Sequence, residues 1–225
     1  MGSTSHNGLT VPSISVTAPY ESTGRTRQKT RTRTLLVATV RELIAQGITP
    51  TVEDVAEASG VSRTTTYRYF PNQRALLLAA HPEIERTSLV PDSVTDVRER
   101  LEVVLDEHFR ILVDWEPQLR TSLRLSLEPS ADQPPLRGGR ALLWIEDALT
   151  PLGQPTARHL AIAIRAAAGI EPYIWLTDIA GQPQNQALAT MRTTARTILE
   201  AALASPPGRP RDRPGAASAL QQRWH

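Results

Sequence analysis

Arginine, threonine and tyrosine crowd one short stretch of this chain, Arg63-Thr64-Thr65-Thr66-Tyr67-Arg68-Tyr69. Three successive threonines are poor helix formers, so a helix here needs a reason other than propensity. Hydroxyls donate to phosphate oxygens, threonine methyls pack on thymine methyls, and guanidinium forks pair with guanine edges or phosphates. The chemistry on offer is recognition of a nucleic-acid duplex. Arg63 and Arg68 suit a base edge or a phosphate, Tyr67 suits a phosphate oxygen, and Thr64, Thr65 and Tyr69 complete a surface on which all seven side chains are expected to be exposed.

Catalytic constellations are missing. The chain has no cysteine, which excludes disulfides, thiolate metal sites and cysteine nucleophiles and suits a reducing cytoplasm. The histidines His6, His81, His108, His159 and His225 lack metal-ligand spacing, and Asp106-Glu107 and Glu146-Asp147 are adjacent pairs that point to different faces of a helix. No H-E-x-x-H, G-x-S-x-G or phosphate loop is present. No metal and no cofactor is therefore expected, and a helical enzyme is the weakest of the alternatives.

Charge is placed unevenly around a net of +2. Residues 25–82 carry nine Lys/Arg against four Asp/Glu, whereas residues 91–204 carry eleven against fifteen. A basic first third is the footprint of a polyanion-binding end. Its densest part is the run Arg25 to Arg33, with five cations in nine residues. Each phosphate contact made by such a run releases a counterion, so Arg33 and its neighbours are expected to touch DNA, either along the backbone or in the minor groove.

The elements that must hold these side chains can be read from local signals. Leu36, Val40, Leu43 and Ile44 form one apolar stripe of a helix over about 28–46, with Gly47 as its stop. Thr51 caps a second helix over 52–58, with Asp54 as its capping-box partner. Ser62 caps a third helix running to Tyr69, and Asn72 caps a fourth over 73–80. Val55, Ala56, Gly60, Val61 and Phe70 are the packing residues of this helix-turn-helix: Ala56 sits where the helices cross, Gly60 permits the turn, Val61 plugs it, and Phe70 closes the base. The N-termini at Thr51 and Ser62 present N–H groups to an anion, so both residues join the expected DNA contacts.

The run Thr51-Val-Glu-Asp-Val-Ala-Glu-Ala-Ser-Gly-Val-Ser-Arg-Thr-Thr-Thr-Tyr-Arg-Tyr-Phe-Pro-Asn-Gln-Arg-Ala-Leu-Leu77 resembles the DNA-binding domain of the TetR (tetracycline repressor) family. The resemblance covers about a quarter of the chain. It implies an all-α homodimer whose N-terminal three-helix module binds a palindromic operator in double-stranded DNA, and whose C-terminal helices make a ligand pocket and the dimer. Two positions depart from the family pattern. Gln73 stands where a phosphate-anchoring lysine is usual, and Thr66 stands where a bulky apolar residue is common.

Beyond the motif the chain reads as longer helices over about 94–114, 117–128, 136–149, 155–180 and 184–203, with Gly169 and Pro172 bending or interrupting the fourth of these. The expectation is about nine helices in all. The domains read as 1–24, a disordered extension; 25–82, the helix-turn-helix domain; 83–204, a helical regulatory and dimerisation domain; and 205–225, a disordered Pro/Gly/Arg-rich tail. For an unidentified small-molecule effector, the candidates are His108, Trp115, Arg124, Trp144 and Trp175, with Arg124 facing an anionic end; ordinary core burial is the alternative for each ring. For the dimer interface, the candidates are Leu160, Ile164, Ala168, Ala187, Met191, Ala195 and Ile198, with burial inside one subunit as the alternative. No uninterrupted apolar span and no signal peptide is read, so a cytoplasmic protein without membrane association is expected. A ligand-responsive repressor is the leading reading, with a helical interaction protein that kept the helix-turn-helix for packing as the rival.

Overall fold

Gly47 ends the first helix as the local signals predict. Its φ of +80° is open to glycine at little cost, and the N–H of Gly47 donates to Ile44 O while that of Ile48 donates to Leu43 O, a Schellman closure of the last carbonyls. The computed structural model describes residues 20–82, 84–128 and 140–204, with α1 side chains from Thr26 onward. All regular structure among the described residues is helical. The chain divides into two units, Met1–Ala79 and Ala80–His225. The expected disorder of 1–19 and 205–225 falls outside the described residues.

The first unit contains α1 (Tyr20–Ala45), α2 (Val52–Ser59), α3 (Arg63–Tyr69) and α4 (Gln73–Ala79). Helix α1 begins inside the stretch 1–24 that was expected to be disordered, so residues 20–24 are a correction to that boundary. Its threonines find partners within the helix: the hydroxyls of Thr30, Thr32 and Thr39 donate to the carbonyls of Thr26, Gln28 and Leu35. The buried stripe is Leu36, Val37, Val40 and Ile44, and Leu43 lies at its edge. Against it pack Val52, Val55 and Ala56 of α2, then Phe70, Leu76 and Leu77. Each large aliphatic side chain fully buried here contributes about 1.5–3 kcal/mol.

The second unit contains α5 (Val97–Asp114), α6 (Glu116–Leu127), α7 (Arg140–Ala148), a 3₁₀ turn (Thr150–Leu152), α8 (Thr156–Ala167), α9 (Ile170–Ile174) with a following π turn (Trp175–Ile179), and α10 (Gln184–Ala204). The helix expected over 155–180 is interrupted at Ala168-Gly169. The carboxylate of Asp96 caps α5 by accepting from the N–H groups of Arg98 and Glu99. Leu101, Val104, Leu105, Phe109 and Leu112 of α5 meet Trp144, Ile145 and Ala148 of α7 in one core. Arg100 donates to the carbonyls of Asp147 and Ala148, which lie at the α7 C-terminus where a cation complements the helix dipole. Along α10, Arg192 and Arg196 converge on the Glu102 carboxylate.

The residues expected at a dimer interface lie on α8, at its C-terminal end, and on α10. Ile164, Ala168, Ala187, Met191 and Ala195 are essentially fully buried within the single chain, while Leu160 and Ile198 are partly buried and pack against the same core. Small side chains let α8 approach both α7 and α10 closely, so these residues pack within the chain.

Candidate nucleic-acid interface and a cavity in the second unit

The helix-turn-helix is assembled from interactions three or four residues apart. Thr51 Oγ1 accepts from the N–H of Asp54, and the Asp54 carboxylate accepts from the N–H of Thr51, completing the capping box. Helix α2 ends at Gly60 with φ of +69°, and Val61 in the turn is half-buried. Ser62 Oγ then caps α3 by accepting from the N–H of Thr65 and donates to Thr65 Oγ1. Val55, Ala56 and Phe70 are buried as packing residues. The oxygens of Thr51 and Ser62 are thus both engaged with their own helices.

Only part of the 63–69 run is presented outward. Arg63, Thr64, Tyr67 and Arg68 are exposed and Thr65 is half-buried; at 100° per residue the first four share one face of α3. Thr66 turns inward, completely buried, with its hydroxyl donating to Ser62 O. That corrects the expectation of seven exposed side chains and shows that threonine fills the position after satisfying its hydroxyl locally. Tyr69 is also tied inward, its hydroxyl donating to Lys29 O of α1. The Tyr67 hydroxyl, expected to await a phosphate, donates to the Glu53 carboxylate of α2. This bond holds the Glu53 carboxyl below its ordinary value and pushes the Tyr67 phenol up.

The basic run that precedes the motif is helical rather than a loose arm. Helical spacing sorts its cations into two rows. Lys29 and Arg33, one turn apart, join Thr26, Thr30, Arg68 and Tyr69 around a cleft of about 450 Å³. Arg27 and Arg31 are exposed but do not line it. The sequence pointed to Arg68, Arg33 and the basic run that holds Lys29 but missed Thr26 and Thr30 as their companions; the i, i+4 spacing of 26, 30 and of 29, 33 was the available signal. Three cations around one concavity have the charge that a polyanion's phosphates would need. Gln73, which replaces a lysine of the family pattern, donates from Nε2 to Pro50 O and so braces the fold.

In the second unit, a cavity of about 740 Å³ is lined by residues from His81 to Glu171. Of the five ligand candidates it gathers two, His108 and Trp144. Trp144 Nε1 donates to Arg86 O, which fixes the indole in the wall. Trp115 lies at the junction of α5 and α6, partly buried against the core, and Trp175 is 56% exposed; neither lines the cavity. Arg124 also lies off it, with a side chain 53% exposed and a guanidinium 3.8 Å from Glu128. Helix α6 turns Gln118, Ser122 and Leu125 inward, and residue 124 falls on the opposite side. The anion-binding role expected of Arg124 is corrected accordingly.

Charge at the cavity comes instead from Arg140, Arg165, Glu85 and Glu171. Arg165 Nη1 lies 3.3 Å from Glu171 Oε2. Gly169 makes room for this pair, since a Cβ there would stand 1.7 Å from Arg165 Nη1. His108, on α5, is buried and its Nε2 meets Ala168 O at 2.7 Å; burial pushes its imidazole down to about 4, so the ring is neutral near pH 7.

Residues 35–80 match the family described as bacterial regulatory proteins, tetR family. No curated protein and no solved structure matches the chain. The match spans α2, α3 and α4 with the C-terminal part of α1, and it ends where the first unit gives way to the second. With its capped helices, its left-handed Gly60 turn and its outward Arg63, Thr64, Tyr67 and Arg68, this unit is similar over residues 35–80 to the DNA-binding domain of tetR-family regulators, and that match supports a DNA-binding transcriptional regulator.

Proposed function

We propose that the chain is a ligand-responsive repressor that binds a palindromic operator as a homodimer in the cytoplasm. The observation that carries the DNA reading is the α3 face of Arg63, Thr64, Tyr67 and Arg68 beside the Lys29–Arg33–Arg68 cleft. Arg63 and Thr64 serve as base readers. Lys29, Arg33 and Arg68 serve as phosphate anchors that set register.

Dimerisation follows from the geometry of the duplex. A helix-turn-helix as short as this one reads a few base pairs, and two copies on successive major-groove faces stand roughly 34–36 Å apart. Apolar side chains left exposed in the second unit, Ile162, Trp175 and Ile179, support association there. The cavity supports an effector role: a ligand that prefers a dimer with a different spacing of its recognition helices lowers operator affinity by that preference.

The test is a footprint and a salt-dependent binding titration on the DNA upstream of the chain's own gene, for the wild type and for the double variant Arg63→Ala/Tyr67→Ala. Protection of a two-fold symmetric site by the wild type, and its loss in the variant with helicity preserved, is the expected result. Equal binding by the two proteins would remove α3 from the interface.

A further inference from the structure

We infer that the cavity of the second unit takes an electrically neutral, largely apolar ligand carrying a hydroxyl or N–H group, and that this group donates to Nδ1 of His108. The inference rests on the effector reading above and names the chemical class of the effector.

The volume, about 740 Å³, is that of a small-molecule site. Its walls are dominated by Ile111, Leu112, Leu119, Leu142, Trp144 and Ile170, so most of an occupant must be apolar. The ionic groups at its edge are balanced. Arg165 is already set against Glu171, and Arg140 and Glu85 are both exposed to solvent. An anionic ligand would meet Arg140 only at the solvent-exposed edge and would lose its hydration against the apolar walls.

His108 supplies the remaining direction. Ala168 closes α8, where the final carbonyls have no partner within the helix. Its oxygen accepts a hydrogen bond from His108 Nε2 at 2.7 Å. A carbonyl cannot donate, so the hydrogen must reside on Nε2, and Nδ1 of the neutral ring carries a lone pair. His108 lines the cavity, and Nδ1 is the ring nitrogen that Ala168 O does not engage. A ligand O–H or N–H satisfies that lone pair. A carboxylate or an ether oxygen placed against it meets lone-pair repulsion instead.

Three probes of one shape separate these chemistries: 4-hydroxybiphenyl as donor, 4-methoxybiphenyl as acceptor only, and biphenyl-4-carboxylate as anion. Binding to the purified full chain is followed at pH 7.5 by calorimetry and by fluorescence of the cavity tryptophan, in the wild type and in His108→Gln. Glutamine can keep a donor toward Ala168 O while removing Nδ1. The expected result is wild-type binding of the hydroxyl probe about 5- to 10-fold tighter than the methoxy probe, with the carboxylate weakest, and a gap shrunk to less than about twofold in His108→Gln. Equal binding of hydroxyl and methoxy probes, or a preference for the carboxylate, overturns the ligand class while leaving the cavity as an effector site. Failure of all three to bind the wild type overturns the effector reading itself, and this inference with it.

Discussion

The hydroxyl of Tyr67 on α3 donates to the carboxylate of Glu53 on α2, across fourteen positions of chain. The bond joins the two helices of the motif on their exposed side and places an acidic group beside Arg63, whose charge also favours the ionised carboxylate. Any phosphate approaching Tyr67 must displace or face that carboxylate. Substituting Glu53→Ala is expected to tighten operator binding by about 3- to 10-fold at ~0.1 M salt, because a like charge is removed within a Debye length of the backbone. A fluorescence-anisotropy titration checks it. Weaker binding by the variant would mean instead that Glu53 holds Tyr67 in the orientation DNA requires.

The two rows of cations on α1 make separable predictions. Lys29→Ala and Arg68→Ala, both at the cleft, are each expected to weaken binding across operator and random DNA alike and to reduce the slope of log K against log salt by about 1. Arg27→Ala and Arg31→Ala, which lie off the cleft, are expected to change the slope by less than about half as much. Equal effects at all four positions would show that the run acts as diffuse charge rather than through one face.

Gly60 isolates the backbone contribution to the turn. Its φ is +69°, and a Cβ built there meets no atom within 4 Å. Gly60→Ala therefore carries no steric clash, only the left-handed conformation, at a cost of about 1–2 kcal/mol. Urea unfolding of the full chain, monitored at helix wavelengths, measures it. Gly60→Asn is expected to cost less, since asparagine tolerates that region better. A neutral Gly60→Ala would imply that the turn relaxes to a different geometry.

His108 predicts an acid sensitivity of the second unit. Desolvation lowers its imidazole from the ordinary value of 6.5 to about 4, against the opposing pull of the Ala168 hydrogen bond; Arg165 lowers it further and Glu171 raises it. Between those two pH values the unfolded chain binds a proton that the folded chain does not. Stability therefore falls as pH drops through this window, by about 3 kcal/mol across it. Above 6.5 neither state is protonated and the contribution is constant. Denaturation midpoints from pH 8 to 4 are expected to show this decline in the wild type and a flatter profile in His108→Gln. Parallel profiles would place the imidazole in a better-solvated site.

What the amino-acid sequence determined by itself is the local machinery of the first unit. Thr51 with Asp54, Gly60, and Ser62 before the threonines each act on backbone groups three or four residues away, so residue type and spacing suffice to set the two short helices and the turn between them. The same holds for Gly47 at the end of α1. Which side of a helix ends inside is a different matter. Thr66 carries the same side chain as Thr64 and Thr65, yet it is the buried one, because packing against the rest of the first unit selects it. Arg124 and Arg165 are both cations on apolar helices; the turn of α6 sends the first, singled out from sequence, to solvent, and Gly169 leaves room for the second at the cavity beside Glu171. On α8 and α10, small apolar residues at helical spacing fit an interface between subunits as well as a seam within one. Only the tertiary structure placed Ile164, Ala187 and Met191 in the seam, since burial depends on partners far along the chain, and periodicity says that a face is apolar without saying what covers it.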